Sequence, residues 1–447
     1  MIVLQERLIK RRIMKKINII GAGLAGCEAA LQVANSGIKV DLYEMKPEKR
    51  SPAHKTDLFA ELVCSNSLQA ERTNSAAGLL KAEMRRFSSV CLESADKCKV
   101  AAGGALAVDR DLFSEYITDK VKNHPNITVI NKTVDKICDD EVTIIATGPL
   151  TDSSLNEEII RLCGGDLLNF YDAAAPIVTA DSIDMSIAFR ASRYGRGDDD
   201  YINCPMDKEE YEAFHDALVT AETAPLKEFD KNITVYEGCM PVEVLAKRGR
   251  DSIRFGPLKP VGLRDPRTDK RPWAVVQLRC ENDKGTLYNL VGFQTNLKFP
   301  EQKRVFSMIP GLFNANFVRY GVMHRNSFID SPRILSENLS LKSKENIFFA
   351  GQITGVEGYM ESASCGIIAG INAVRFLNND KPLILPEITM IGALLKYITD
   401  ESVKNFQPMG ANFGIMPQLD QNIRDKKERY QAFAERSLNY LNKDYLE

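Results

Sequence analysis

An α/β fold with a second α/β domain inserted into it is predicted by three features of this 447-residue chain. The first is a strand–glycine–helix–strand run at 16–44, KINIIGAGLAGCEAALQVANSGIKVDLYE. The second is a strand–glycine–helix run starting at residue 346, NIFFAGQITGVEGYMESASCGIIAGINAVRF. The third is a change of texture between them. From about 155 to 325 charge density rises, prolines scatter, and strand-like segments such as NITVYEG, AVVQLRC and LYNLVGF appear. A fold that starts, breaks off and resumes gives the expected division: an extension at 1–13, the parent domain at 14–154 and 326–447, and the insert at 155–325.

Taken in order, residues 1–13 are basic but lack a continuous apolar core and a cleavage site, which excludes a secretory signal. The apolar strand Ile17 to Ile20 then runs into GAGLAG, residues Gly21, Ala22, Gly23, Leu24, Ala25 and Gly26. Gly21 allows the tight turn, Gly23 lets a pyrophosphate approach the backbone, and Gly26 lets the helix sit close to the strand. The helix N-terminus offers free N–H groups to phosphate. Glu44 follows at the end of the second strand, where an acid hydrogen-bonds a ribose hydroxyl. With both strands, the helix and the acid present, the run is a dinucleotide-binding fingerprint. An acid at Glu44 favours FAD or NAD over NADP, because a 2′-phosphate would be repelled.

A polar loop at 45–78 is too long for a plain connection. A short strand and a helix follow at 105–121, with Asp109 expected as the helix cap. Two further strands, NITVI and EVTIIATGP, come next, and the second ends in Ala146-Thr147-Gly148. After the insert, the strand Ile347 to Ala350 meets a glycine-rich turn and a long apolar helix expected to begin near Ser362. The tail holds a short helix, a turn-rich stretch and a charged final helix.

The chain is 44% hydrophobic and 26% charged with a net charge of −2, as expected of a soluble globular protein of two or three domains. That balance gives no global nucleic-acid signal. No run of 18 apolar residues is present, so no membrane span is expected. The ten cysteines contain no CxxC pair, so no metal site is expected and a reduced, cytoplasmic setting is the simplest reading.

The cofactor fold is split along the chain, whereas a nicotinamide dehydrogenase usually keeps it in one block. The arrangement resembles the glutathione-reductase-type FAD-binding fold. In that fold the late helix points its positive end at the flavin, and Gly351, Gly355 and Gly358 would let backbone approach the ring.

The loop at 52–68, PAHKTDLFAELVCSNSL, closely resembles one family, the bacterial folate- and FAD-dependent tRNA (uracil-5-)-methyltransferases. So do 351–370, GQITGVEGYMESASCGIIAG, and 406–417, FQPMGANFGIMP. The likeness runs from about Met14 to the C-terminus. A related flavoprotein that modifies wobble uridine carries a long C-terminal helical extension, for which this chain ends too soon. The resemblance implies that 5,10-methylenetetrahydrofolate supplies a one-carbon unit, that reduced FAD delivers it with electrons to C5 of a uridine, and that NAD(P)H rereduces the flavin. The implied product is 5-methyluridine at uridine 54, in the T-arm of tRNA. A branch of the family acts on large-subunit ribosomal RNA instead, and a non-catalytic RNA-binding flavoprotein is the reading outside catalysis.

Uracil C5 is a poor nucleophile until a thiolate adds at C6, so the chemistry needs an activated cysteine. Cys64 in LVCSNSL and Cys239 in YEGCMPVEVL fall at family cysteines. We assign Cys239, in the insert, as the C6 nucleophile. Cys64 is then the thiol that handles the proton or bonds the flavin; the reverse assignment stays open. Asn66 and Ser67 are candidates to orient the thiolate or the flavin, Arg110 and Gln352 are candidates for the cofactor, the resemblance places His324 where it would stack on the pterin, and His54 is a further candidate for cofactor binding. A basic stretch at 247–279 holds ten Lys/Arg against three Asp, a local net charge of +7. Its Lys247, Arg248, Arg250, Arg254, Arg264, Arg267, Lys270 and Arg271 are the candidates for RNA phosphates, and Trp273 is the candidate for stacking on a base.

Overall fold

The computed structural model describes residues 16–51, 53–165, 167–195, 198–224, 240–404 and 406–444, and the side chains of these except at 170–172, 324, 325, 443 and 444. The expected extension at 1–13 and the expected strand NITVYEG lie outside the described residues.

A strand whose side chains are apolar on both faces needs cover on both, and this sets the parent domain. The strand β1 (Lys16–Ile20) buries Ile17, Ile19 and Ile20 and lies inside a six-stranded sheet. It pairs in parallel with β2 (Lys39–Glu44) on one side and β7 (Thr143–Ile145) on the other. Beyond β2 lies β6 (Ile127–Asn131), and beyond β7 lies β17 (Lys344–Phe349), both parallel. The short β16 (Ser340–Leu341) closes that edge antiparallel. The sheet therefore takes its interior strand β17 from the far end of the chain.

The helices Leu24–Asn35 and Tyr359–Asn378 cross against each other over this sheet. Small residues form the crossing. A Cβ at Gly366 would stand 2.2 Å from the Ala25 carbonyl oxygen, and one at Gly370 would stand 2.9 Å from that of Ala29. The second helix begins at Tyr359 rather than near Ser362, because Gly358, at φ 123°, turns the chain into it.

The insert, expected to mix helices and strands, does so around an antiparallel sheet. Its six-stranded sheet runs β10 (Phe189–Arg190), β11 (Tyr201–Met206), β12 (Ala274–Cys280), β13 (Leu287–Leu290), β9 (Ile177–Thr179), β14 (Phe317–Arg319), and every pair is antiparallel. Helix Lys208–Thr220 lays Tyr211, Phe214 and Leu218 into the same core as Val276, Leu278, Phe293 and Phe306. Asp207 starts that helix, its carboxylate accepting the Glu210 N–H at 2.8 Å while Glu210 accepts the Asp207 N–H at 2.8 Å. An antiparallel ribbon of β8 (Leu168–Ala173) and β15 (Met323–Phe328) joins insert to parent domain. The long polar loop is organised by a third sheet of β3 (Ser67–Ala70), β4 (Lys99–Val100) and β5 (Ala105–Val108). Asp109 caps the helix Arg110–Lys122, accepting from Asp111 and Leu112 N–H groups.

Two buried glutamates cap helices that are remote in sequence. Glu28 accepts the N–H groups of Val90 and Cys91 at 3.2 and 3.0 Å. Glu83 accepts those of Met390 and Ile391 at 2.6 and 2.8 Å, and also the Ser437 hydroxyl. Each N–H left unpaired would cost about 1–3 kcal/mol. Burial pushes Glu83 from its ordinary 4.5 up to about 7. The folded protein thus keeps a proton that the unfolded chain releases near 4.5. The resulting stabilisation is complete below that pH and is lost as pH rises through about 7. Glu83→Gln should flatten this dependence: thermal melts between pH 5 and 8 should show a steeper fall in Tm for the wild type than for the variant.

Candidate active site

The three glycines of the first turn are required for three different reasons. Gly21 sits at φ 100°, and a Cβ there would stand 2.6 Å from the Ala146 carbonyl oxygen. A Cβ at Gly26 would stand 1.8 Å from the Gly21 carbonyl oxygen, so the helix can seat only on a glycine. A Cβ at Gly23 meets nothing within 4 Å. It would point into open space, which is what a backbone that receives a pyrophosphate needs.

That space is a cleft open to solvent. Gly21 to Ala25 form its floor, with Glu44 beside them. Ala146, Thr147 and Gly148 line one wall, and Gly351, Gln352, Tyr359 and Ser362 line the other. Glu44 is already tied down: its carboxylate accepts the Ala22 N–H at 2.8 Å and the Lys46 N–H at 3.0 Å. A carboxylate has about four lone-pair sites, so capacity remains for a ribose hydroxyl. The Tyr359 helix opens on Gly358 with no side-chain cap, leaving its first N–H groups and its positive end toward the cleft. His54 also lines the cleft; its ring Nδ1 meets the Ser51 hydroxyl at 2.6 Å, and burial lowers its pKa.

Four residues expected against the cofactor stand elsewhere. Gly355, at φ 85°, faces the Phe406 ring, and Gly358 faces the Glu361 carboxylate. Asn66 is fully buried, its amide donating to the carbonyls of Val108 and Cys280. Arg110, expected there too, turns its guanidinium to the Cys64 loop and to Glu281.

Cys64 lies next to Val63, which lines the cleft, and its sulfur is 3.7 Å from the Ala173 carbonyl oxygen. The Tyr359 hydroxyl accepts the Cys64 N–H at 2.7 Å and the Ser65 N–H at 3.2 Å. Tyr359 was not legible in the sequence as a site residue, because its contact with Cys64 spans the chain. Cys239 lies outside the described residues. The chain on either side of 225–239 is anchored to one short stretch: Lys298 N–H bonds the Glu222 carbonyl at 3.0 Å, and Val242 N–H bonds the Gln294 carbonyl at 2.7 Å. Between them, Thr295 N–H bonds Ala174, the neighbour of the residue that Cys64 touches, at 3.3 Å. His324 belongs to the strand β15, and its side chain is outside the described ones.

The basic stretch is less charged than its sequence. Arg279 is buried and bonds Asn66 at 2.9 Å, so it leaves the surface. Arg250 pairs with Asp216 at 3.0 Å, Arg267 with Asp265 at 2.6 Å, and Arg264 with Asp269 at 3.7 Å. Arg254 lies 3.8 Å from the centre of the Trp273 ring and donates to the Trp273 carbonyl, so Trp273 is not an open stacking surface. Lys247, Arg248, Lys270 and Arg271 are exposed and have no ion-pair partner among the described residues.

Comparison with known proteins bears on this geometry. The profile of the family described as "GIDA: Glucose inhibited division protein A" matches residues 16–381. A protein of Acetivibrio thermocellus named methylenetetrahydrofolate–tRNA-(uracil-5-)-methyltransferase TrmFO is 60% identical over 431 residues, 96% of this chain and 98% of the relative. The chain belongs to this methyltransferase family. Members of the same name from Listeria monocytogenes and Halalkalibacterium halodurans are 59% and 57% identical, over 96% and 95% of this chain and 98% and 97% of their own lengths. Among solved structures, Aquifex aeolicus GidA in one crystal form superposes with a TM-score of 0.69 at 18% identity, covering 96% of this chain and 75% of that one. A second crystal form gives 0.68 at 18%, with 89% and 69% covered. That likeness supports the α/β, FAD-binding type of fold.

The cleft makes a test available in which folding and binding separate. Gly23→Val should fold with a near-native melt yet take up no FAD, since the new side chain fills only the cleft. Gly26→Val should fail to fold, since it overlaps backbone. Flavin absorbance together with thermal melts checks both.

Proposed function

We propose that this protein transfers a one-carbon unit from 5,10-methylenetetrahydrofolate to C5 of uridine 54 in the T-arm of tRNA, forming 5-methyluridine. A nicotinamide nucleotide serves as the external reductant. The observation that carries the reading is the position of Cys64: a thiol beside a dinucleotide cleft, its backbone fixed by the cleft-lining Tyr359, in a chain that matches the family over nearly its whole length.

FAD, when bound, supplies the redox chemistry and relays the one-carbon unit. The open face at Gly23 and the helix N-terminus behind it would hold its pyrophosphate, and Glu44 its ribose. The Tyr359 helix would direct its positive end to the ring. These residues fit the group because the turn is closed by backbone contacts at Gly21 and Gly26 and left empty only at Gly23.

Two thiols divide the remaining work. Cys239 adds to C6 and turns C5 into a nucleophile; Cys64 handles the C5 proton or contacts the flavin. The anchoring of both flanks of 225–239 around Thr295, one bond network away from Cys64, supports bringing the two together. Uridine-bearing RNA reaches them along the insert, where Lys247, Arg248, Lys270 and Arg271 offer charges to phosphates.

RNA carrying 5-fluorouridine at the target position tests this, because fluorine cannot leave as a proton does. A covalent protein–RNA complex should form with the wild type and disappear with Cys239→Ala, which should keep FAD. Peptide mapping that finds the adduct on Cys64 would reverse the two roles. Full turnover in both Cys64→Ala and Cys239→Ala would overturn the thiol mechanism.

A further inference from the structure

The loop bearing Cys64 is gripped by arginines at five consecutive residues. Arg110 donates to the carbonyls of Leu62 at 2.6 Å and Cys64 at 2.9 Å. Arg319 donates to the carbonyl of Val63 between them. Arg279 donates to the Ser65 hydroxyl at 2.8 Å and the Asn66 amide oxygen at 2.9 Å. The three come from different elements: the helix Arg110–Lys122, the strand β12 and the edge strand β14.

Their charge is poorly balanced. Glu281 is the carboxylate in contact, at 2.6 Å from Arg110, and its other oxygen is buried without a hydrogen-bond partner among the described residues. Burial lowers Arg279 and Arg319, yet a guanidinium stays charged in proteins. Other groups facing the cluster are the Tyr359 and Tyr201 hydroxyls and, on the loop's own chain, Lys55 and Glu61. Asp172, His324 and Arg325 stand on the ribbon that meets Cys64, their side chains outside those described. Three guanidiniums against one carboxylate in a half-buried site favour an anion, and the Cys64 sulfur is the adjacent group that can become one.

We propose that Arg110, Arg279 and Arg319 are positioning residues that fix the Cys64 loop and together hold its sulfur as the thiolate at neutral pH, with Glu281 moderating their charge. The inference rests on the reading of Cys64 as a reacting thiol. Two of the three arginines and Glu281 belong to the insert, so the reactivity of a parent-domain cysteine is set by the domain assigned to grip RNA.

The test is the pH profile of Cys64 alkylation by iodoacetamide, which the thiolate attacks with loss of iodide, followed by peptide mass spectrometry on the intact flavin-loaded protein. A free thiol titrates near pH 8.5. The wild type should show a midpoint below about 7, where the thiolate is the major form at neutral pH. Arg319→Gln should raise the midpoint by about one unit and so slow alkylation at pH 7 about threefold, and Arg319→Lys should restore most of the rate. Glu281→Gln should move the midpoint the opposite way, downward, which a merely loosened loop would not do. Equal midpoints in all four proteins, or a shift of both Gln variants in the same direction, overturn the proposal. Methyl transfer by Cys64→Ala is measured alongside. If it stays active while the midpoints move as expected, the cradle stands and the role of Cys64 in the reaction falls; if it is dead and the midpoints do not move, the reverse holds.

Discussion

The close approach of the helices Leu24–Asn35 and Tyr359–Asn378 governs the rest of the parent domain. Their backbones meet where Gly366 and Gly370 lie against the carbonyls of Ala25 and Ala29. Gly351, at φ 81°, fits against the Ala25 methyl just before the second helix begins. A Cβ at Gly366 would overlap the Ala25 backbone, and one at Gly370 would press on Ala29 and Gln32. Because the helices cross there, both N-termini open onto one cleft, and two sets of unpaired N–H groups converge on the same space. A longer interaxial distance would separate the part of the site that takes phosphate from the part that meets the flavin ring.

Local signals were legible, and distant ones were not. The glycines at 21, 23 and 26, the acid at Glu44 and the Asp109 cap could be read because each belongs to a spacing pattern confined to one strand–glycine–helix–strand unit or one helix start. The interrupted fold could be read because β17 and the helix after it repeat the strand–glycine–helix pattern. The pairing direction of the insert's strands was not legible, since short apolar strands look alike whichever way they pair. Arg110 and Asn66 were expected at the cofactor, whereas they hold the Cys64 loop together with residues of the insert. Gly355 looked like a flavin contact and is explained by the Phe406 ring, which follows it in the chain by a stretch no local pattern connects. The basic stretch was overestimated for the same reason: Asp216, outside the window, pairs with Arg250, and Arg279 is buried against Asn66.

Buried polar groups in this protein mostly serve as couplings between elements. Glu28 and Glu83 each join a helix start to another part of the chain, and Glu83 reaches both the helix Met390–Thr399 and the last helix through Ser437. Glu243 does the same in the insert, accepting the Asn296 N–H at 2.7 Å and the Thr295 hydroxyl at 2.8 Å. That places a buried carboxylate on the short stretch to which both flanks of the Cys239 segment are tied. The Cys64 loop and the described flanks of 225–239 are thus held by charge and hydrogen bonding, while the apolar cores of the two domains remain separate clusters.

The position of β17 has a consequence for how the chain is made. This strand fills an interior place in the parallel sheet, beside β7, and it is encoded after the whole insert. While the ribosome is still producing the insert, β7 presents an open edge and the first helix an uncovered glycine–alanine face. Such edges are where non-native pairing starts, and contacts of high sequence separation are slow to form. The insert, with its own antiparallel sheet and core, has all of its described strands before the parent domain receives its missing strand. Synthesis order therefore favours a nascent chain in which the later-encoded domain is finished first, and the cofactor cleft comes into being only when residues 344–362 arrive.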